Sequence, residues 1–202
     1  MTDGSGGSGD PVPLHRRSIE YQAFEGGDVM TIVGRLRDTR PWVEGGEGAG
    51  IVHDMELSVT VRITDLTITE AAATMHTFPH FECPGIVESF GGLVGLRVTR
   101  GYTREVQSRF GGPKGCTHLE QLARSLGPLV IQAVTSRRAR AVRAGDFDDL
   151  LSGGPSPWAR DSCHIWAEGG VADQKLAAGW RPGTGPYPAP SLESIRKSGR
   201  PQ

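Results

Sequence analysis

Met55, Leu57, Val59, Val61 and Ile63 alternate with Glu56, Ser58, Thr60 and Arg62. A period of two is the pattern of a strand with one buried and one solvated face. A helix would scatter these aliphatic side chains around its circumference, so this stretch commits the chain to a sheet. Its neighbours share the pattern. Ile19, Tyr21 and Ala23 alternate with Ser18, Glu20 and Gln22. The turn residues Gly26-Gly27-Asp28 precede a run from Met30 to Leu36, and Thr64-Asp65 turns the chain into a run from Leu66 to Met75. Strands that follow one another through short turns predict one antiparallel sheet with a wet face.

After Cys83 the periodicity becomes helical. Pro84 opens a segment carrying Ile86, Val87 and Phe90, and Tyr102, Val106 and Phe110 recur at four-residue steps. Leu119, Leu122, Ala123, Leu126, Val130, Ala133 and Val134 form a continuous stripe. Thr117-His118-Leu119-Glu120 matches the capping box, which places Thr117 at the N-cap and Glu120 at N3. Gly127-Pro128 predicts a kink in the same helix. Strands first and helices afterwards predict an α+β fold, an antiparallel sheet with helices packed on one face.

Glycine and proline crowd both ends. Gly4-Ser5-Gly6-Gly7-Ser8-Gly9 has no side chains to bury, and Pro182, Pro186, Pro188 and Pro190 punctuate the other end. The expected organisation is a flexible tail at 1–13, one α+β domain at 14–180 and an extended Pro-rich tail at 181–202. A net charge of −1 with 37% hydrophobic residues fits a globular chain and removes the electrostatic reason to expect nucleic acid or a membrane surface as partner. No apolar run approaches the roughly 18 residues that cross a bilayer, and the N-terminus lacks the features of a secretory leader. The expected location is the cytoplasm.

The candidate chemistry centres on three cysteines. Gly111-Gly112-Pro113-Lys114-Gly115 leads into Cys116 and His118 at a helix start, where free N–H groups, the helix dipole and Lys114 favour a thiolate. Such a thiolate suits a nucleophile or a metal ligand. Cys163 is followed by His164; on a regular strand the two would point apart, whereas at a turn both could ligate one ion. Cys83 stands at a strand-to-helix junction three residues after His80. Cys83, Cys116 and Cys163 with His118 or His164 would supply the four ligands of zinc or an iron–sulfur cluster. His53-Asp54 sets an imidazole beside a carboxylate for acid and base work. Arg137, Arg138, Arg140 and Arg143 complement the dipole at a helix C-terminus.

Arg35-Leu36-Arg37-Asp38, His53-Asp54-Met55, Pro79…Cys83, Gly115-Cys116-Thr117-His118-Leu119 and Cys163-His164-Ile165-Trp166 resemble a bacterial domain-of-unknown-function family marked by a Gly-Cys-Thr-His-Leu signature, over roughly Arg16 to Gln174. That resemblance implies a boundary and a motif set and no particular reaction. Cys83, Gly115-Cys116 and Cys163-His164 also resemble, in their order, the cysteines of iron–sulfur scaffold proteins of the NifU and SufE type. Here histidine follows the last cysteine, and Pro84-Gly85 replaces the Gly-Asp that follows the first one in those scaffolds.

Three functions follow as expectations. The leading one is a metal-binding protein, zinc or iron–sulfur, acting as a lyase or hydrolase on a small organic substrate, with His118, His164 or His53 moving protons. The second is a non-catalytic iron–sulfur scaffold or carrier that serves a protein partner. The third is a metal-free enzyme with Cys116 as nucleophile.

Overall fold

The computed structural model describes residues 11–145, 160–182 and 187–198, so residues 1–10 of the tail expected at 1–13, and residues 183–186 and 199–202 of the tail expected at 181–202, lie outside the described residues. The chain divides into two compact units, residues 1–126 and 127–202. In the first, β1 (Arg16–Gly26), β2 (Val29–Thr39), β3 (Ile51–Arg62) and β4 (Ile68–Thr77) form an antiparallel sheet in the order β1-β2-β3-β4. This is the expected α+β architecture.

Side-chain parity explains its core. Met30, Ile32 and Leu36 of β2 stand opposite Val61, Val59 and Met55 of β3, and all six are buried. Burying each such side chain is worth about 1.5–3 kcal/mol before the entropy of ordering it. Gly34 shares this face because a Cβ there would collide with the ring of Tyr21, its cross-strand partner on β1. The β1–β2 register therefore needs glycine on sterics, not for any unusual backbone angle.

Helices cover the same face. A 3₁₀ segment (Cys83–Leu93) buries Phe90, which stacks on Phe110 of α1 (Tyr102–Phe110) with ring centroids 4.7 Å apart. Helix α2 (Thr117–Arg143) buries Leu119, Leu122, Ala123 and Leu126 in this unit. Two phenols fasten it. Tyr21 donates to the Leu122 carbonyl at 2.9 Å and Tyr102 to the Ala123 carbonyl at 3.0 Å. Burial raises the pKa of both, so each remains a neutral donor.

The start of α2 differs by one residue from the capping-box expectation. Glu120 N–H donates to the carbonyl of Cys116 at 2.8 Å, which makes Cys116 the N-cap and Thr117 the first helical residue. Glu120 instead faces Arg124 at 3.4 Å, one turn on. The thiol is thus part of the helix end.

In the second unit α2 continues from Gly127 and keeps Pro128 inside it. Helices α3 (Val171–Ala177) and α4 (Leu192–Ser198) follow. The latter corrects the expectation of an extended stretch there. Ser191 Oγ accepts the Ser194 N–H at 3.1 Å and Glu193 pairs with Lys197 at 2.6 Å, a cap and an i,i+4 pair that hold a short helix. Among the described residues no helix is long and apolar enough to cross a membrane.

Candidate functional site

Asp38 ends the apolar parity of β2, two residues beyond Leu36, and its side chain is 1% exposed. A lone buried carboxylate is costly unless charges and hydrogen bonds replace its water. Arg17, opposite it on β1, supplies both, donating from Nε to Oδ1 at 2.7 Å and from NH2 to Oδ2 at 2.6 Å. The spare NH1 of Arg17 donates to Gln121 Oε1 of α2 at 2.9 Å. His15 Nε2 reaches Oδ1 at 3.0 Å, and His53 Nδ1, across the β2–β3 ladder, reaches Oδ2 at 3.1 Å. Burial alone would raise this carboxyl. The Arg17 and His15 hydrogen bonds, with the charge of Arg17, hold it well below the usual carboxylate range.

The helix brings the remaining members. His118 Nε2 stands 3.3 Å from Asp38 Oδ2, and the His118 ring lies 3.8 Å, centroid to centroid, from that of His53. Its other nitrogen, Nδ1, is 3.7 Å from Cys116 Sγ. Burial lowers the pKa of His118, and the nearby His53 and Arg17 push it the same way against the pull of Asp38. The ring is therefore neutral at pH 7 and carries one proton. An ionised carboxylate only accepts, so that proton belongs on Nε2, facing Asp38, and Nδ1 is left as an acceptor toward the thiol.

Local backbone delivers Cys116 to this point. Gly112–Lys114 makes a short 3₁₀ turn, and a Cβ on Gly115 would collide with the carbonyl oxygen of Phe110. Glycine lets the loop pass close to the end of α1 before α2 begins. Lys114 Nζ donates to the Ser108 carbonyl at 3.0 Å.

Of the expected site residues, the structure gathers Cys116, His118 and His53. It separates His53 from Asp54. Adjacent strand residues face opposite sides, and Asp54 lies on the outer face, where Arg35 donates at 2.7 Å to each of its oxygens and Arg37 donates to Oδ2 at 2.9 and 3.1 Å. The carboxylate that His53 meets is Asp38, at 3.1 Å, and not its sequence neighbour Asp54. Cys83 is half-buried at the start of the 3₁₀ segment. Cys163 and His164, in the second unit, are exposed on a turn closed by the Trp166 N–H to the Cys163 carbonyl at 3.0 Å. Among the described residues, the group of three His, Cys, Asp or Glu side chains with ligand atoms within 4.8 Å of one another is Asp38, His53 and His118, and no cysteine belongs to it.

Arg17 and His15 are members that the sequence does not single out, and Asp38 enters there only as the last residue of the Arg35-Leu36-Arg37-Asp38 motif, with no role assigned. A signal was present. Asp38 and Arg17 occupy the apolar parity of their strands, and a charged residue on a buried parity needs a partner.

A family model described as Protein of unknown function (DUF2889) matches residues 15–132. The match contains His15, Arg17, Asp38, His53, Cys116, His118 and Gln121, and it ends well before the Gln174 expected from the motif resemblance. No curated protein and no solved structure matches the chain.

Proposed function

The chain belongs to this family of unknown function, and from the geometry at Asp38 we propose that it is a thiol-dependent enzyme acting on a small organic acyl compound. One observation carries the reading: both nitrogens of a single imidazole are committed, Nδ1 to Cys116 Sγ at 3.7 Å and Nε2 to Asp38 Oδ2 at 3.3 Å. Nucleophile, base and orienting carboxylate in that order form the arrangement by which a weak nucleophile is activated.

The step proceeds as follows. His118 Nδ1 takes the proton from Cys116 while Sγ bonds to the carbonyl carbon. The resulting oxyanion lies near the first amides of α2, Thr117 to Leu119, which precede the first helical hydrogen bond. The leaving group departs with the proton from Nδ1, giving a thioester on Cys116. Water, deprotonated by the same nitrogen, then releases the acid and restores the thiol. Asp38 keeps its charge throughout and stabilises the transient imidazolium. Arg17 and His15 hold Asp38, so they are positioning residues. Iron–sulfur scaffolding draws no support from this geometry, because the ligand group contains no thiol.

The test uses generic probes. With 4-nitrophenyl acetate, mass spectrometry is expected to find one acetyl group on Cys116 and none on Cys83 or Cys163. With iodoacetamide, Cys116 is expected to react faster than the exposed Cys163 and to slow by about tenfold or more in His118→Gln. Exposure alone favours Cys163. If Cys163 reacts first and His118→Gln changes nothing, the proposal fails.

A further inference from the structure

His53 takes no part in the thiol chemistry, yet it is stacked on His118 and aimed at the same oxygen. Resting on the reading above, we infer that Asp38, His53 and His118 also form a reversible site for a zinc-type divalent cation, and that occupancy of this site switches the thiol off.

The distances come first. Tetrahedral N and O ligands at about 2.0–2.2 Å from zinc stand roughly 3.3–3.6 Å from one another. His53 Nδ1 and His118 Nε2 lie 3.1 and 3.3 Å from Asp38 Oδ2, so two ligand–ligand edges are close to that spacing without rearrangement. Two imidazoles and one carboxylate suit zinc, cobalt and their neighbours, and leave an open position for water or an anion.

The switch follows from the tautomer. In the free ring the proton sits on Nε2 and Nδ1 accepts from Cys116. A cation bound at Nε2 displaces that proton, and the neutral ring carries it on Nδ1 instead. His118 then donates toward Sγ and has no lone pair with which to take the thiol proton. Metal and thiol chemistry thus exclude one another through a single ring.

The surrounding charge keeps binding weak. Arg17 already neutralises Asp38, His15 stands on its other oxygen, and Cys116 faces the back of His118. A dication added to a neutral pair gains less than it would at an unpaired carboxylate. Such a site responds to free metal concentration and does not hold a structural ion.

The experiment titrates the full-length protein with cobalt(II) and with zinc. Cobalt is expected to bind one to one, with visible bands and no sulfur charge-transfer band. Cys116→Ser is expected to bind unchanged, and His53→Gln and His53→Ala to weaken binding by roughly tenfold or more, with far-ultraviolet circular dichroism confirming the fold. Zinc is expected to slow iodoacetamide capture of Cys116 in the wild type and not in the His53 variants. Binding that survives both His53 changes, or is lost with Cys116, overturns the site. Binding without slowing of capture overturns the switch. Because cobalt binding to Cys116→Ser needs no thiol, it succeeds or fails separately from the proposed enzyme.

Discussion

Asp38 and Asp54 are buried carboxylates on opposite faces of one sheet, each held by arginine from a neighbouring strand, and the difference between them separates a knot from a site. Asp54 is held by Arg35 and Arg37, whose outer surfaces remain in water. Asp38 has one arginine and three imidazoles around it, and beyond one of those imidazoles is a thiol at a helix end. An arginine–carboxylate pair alone therefore marks a tied strand crossing. Titratable groups arrayed beyond the pair mark chemistry.

The sharpest way to break this contrast is kinetic. His118→Gln keeps volume and polarity but removes the base, and the acylation rate of Cys116 is expected to fall by about 10²–10⁴. Arg35→Gln, on the Asp54 side, is expected to leave that rate within about twofold, since an exposed pair on the outer face contributes little beyond stability. Rates of 4-nitrophenolate release measure both. If the two substitutions slow Cys116 acylation alike, the faces are not functionally distinct.

Stability separates them less. Asp38→Ala leaves Arg17, His15 and His53 without their shared acceptor and is expected to cost about 2–3 kcal/mol, the upper part of the range for removing one partner of a buried hydrogen-bonded group. Asp54→Ala leaves two arginines that can turn into water, and about 1–2 kcal/mol is expected. Urea unfolding of the two variants compares them directly. Gly34→Ala falls in a similar range, about 1–3 kcal/mol. Its methyl group displaces the Tyr21 ring and, with it, the hydrogen bond to Leu122, which a matching loss on Tyr21→Phe would verify by a double-mutant cycle.

Much of the fold was legible because burial imposes period. The alternation from Met55 onward located β3, and the leucine stripe located α2 to within a residue at its start. The shift of the N-cap from Thr117 to Cys116 was not legible, since N-cap preference favours the Thr117 hydroxyl and the packing of Gly115 against Phe110 overrides it. At the site, the glycine-led approach pointed to Cys116 and His118. Thiols are conspicuous in sequence, and that draws metal chemistry to the cysteines. The partners that assemble around His118 are instead an aspartate and an arginine inside strands, which look like ordinary surface charges until cross-strand register sets Asp38 opposite both Arg17 and His53.

The smallest expected effect concerns pH. The Arg35 hydrogen bonds, with those of Arg37 and against the opposing cost of burial, hold Asp54 below its ordinary value. A carboxyl with a lowered folded-state pKa stabilises the fold at every pH above its unfolded value of about 3.9, and that contribution is lost as pH falls through the lower folded value. The stability gap between wild type and Asp54→Asn is therefore expected to stay constant from pH 7 to about 5 and to close below about 4. Asp38 has the same sign but lies further down, so the gap to Asp38→Asn should persist into stronger acid. Parallel denaturant titrations at stepped pH test the order: closure of the Asp38 gap before the Asp54 gap would mean that the Arg17 side does not hold its carboxylate more firmly than Arg35 and Arg37 hold theirs.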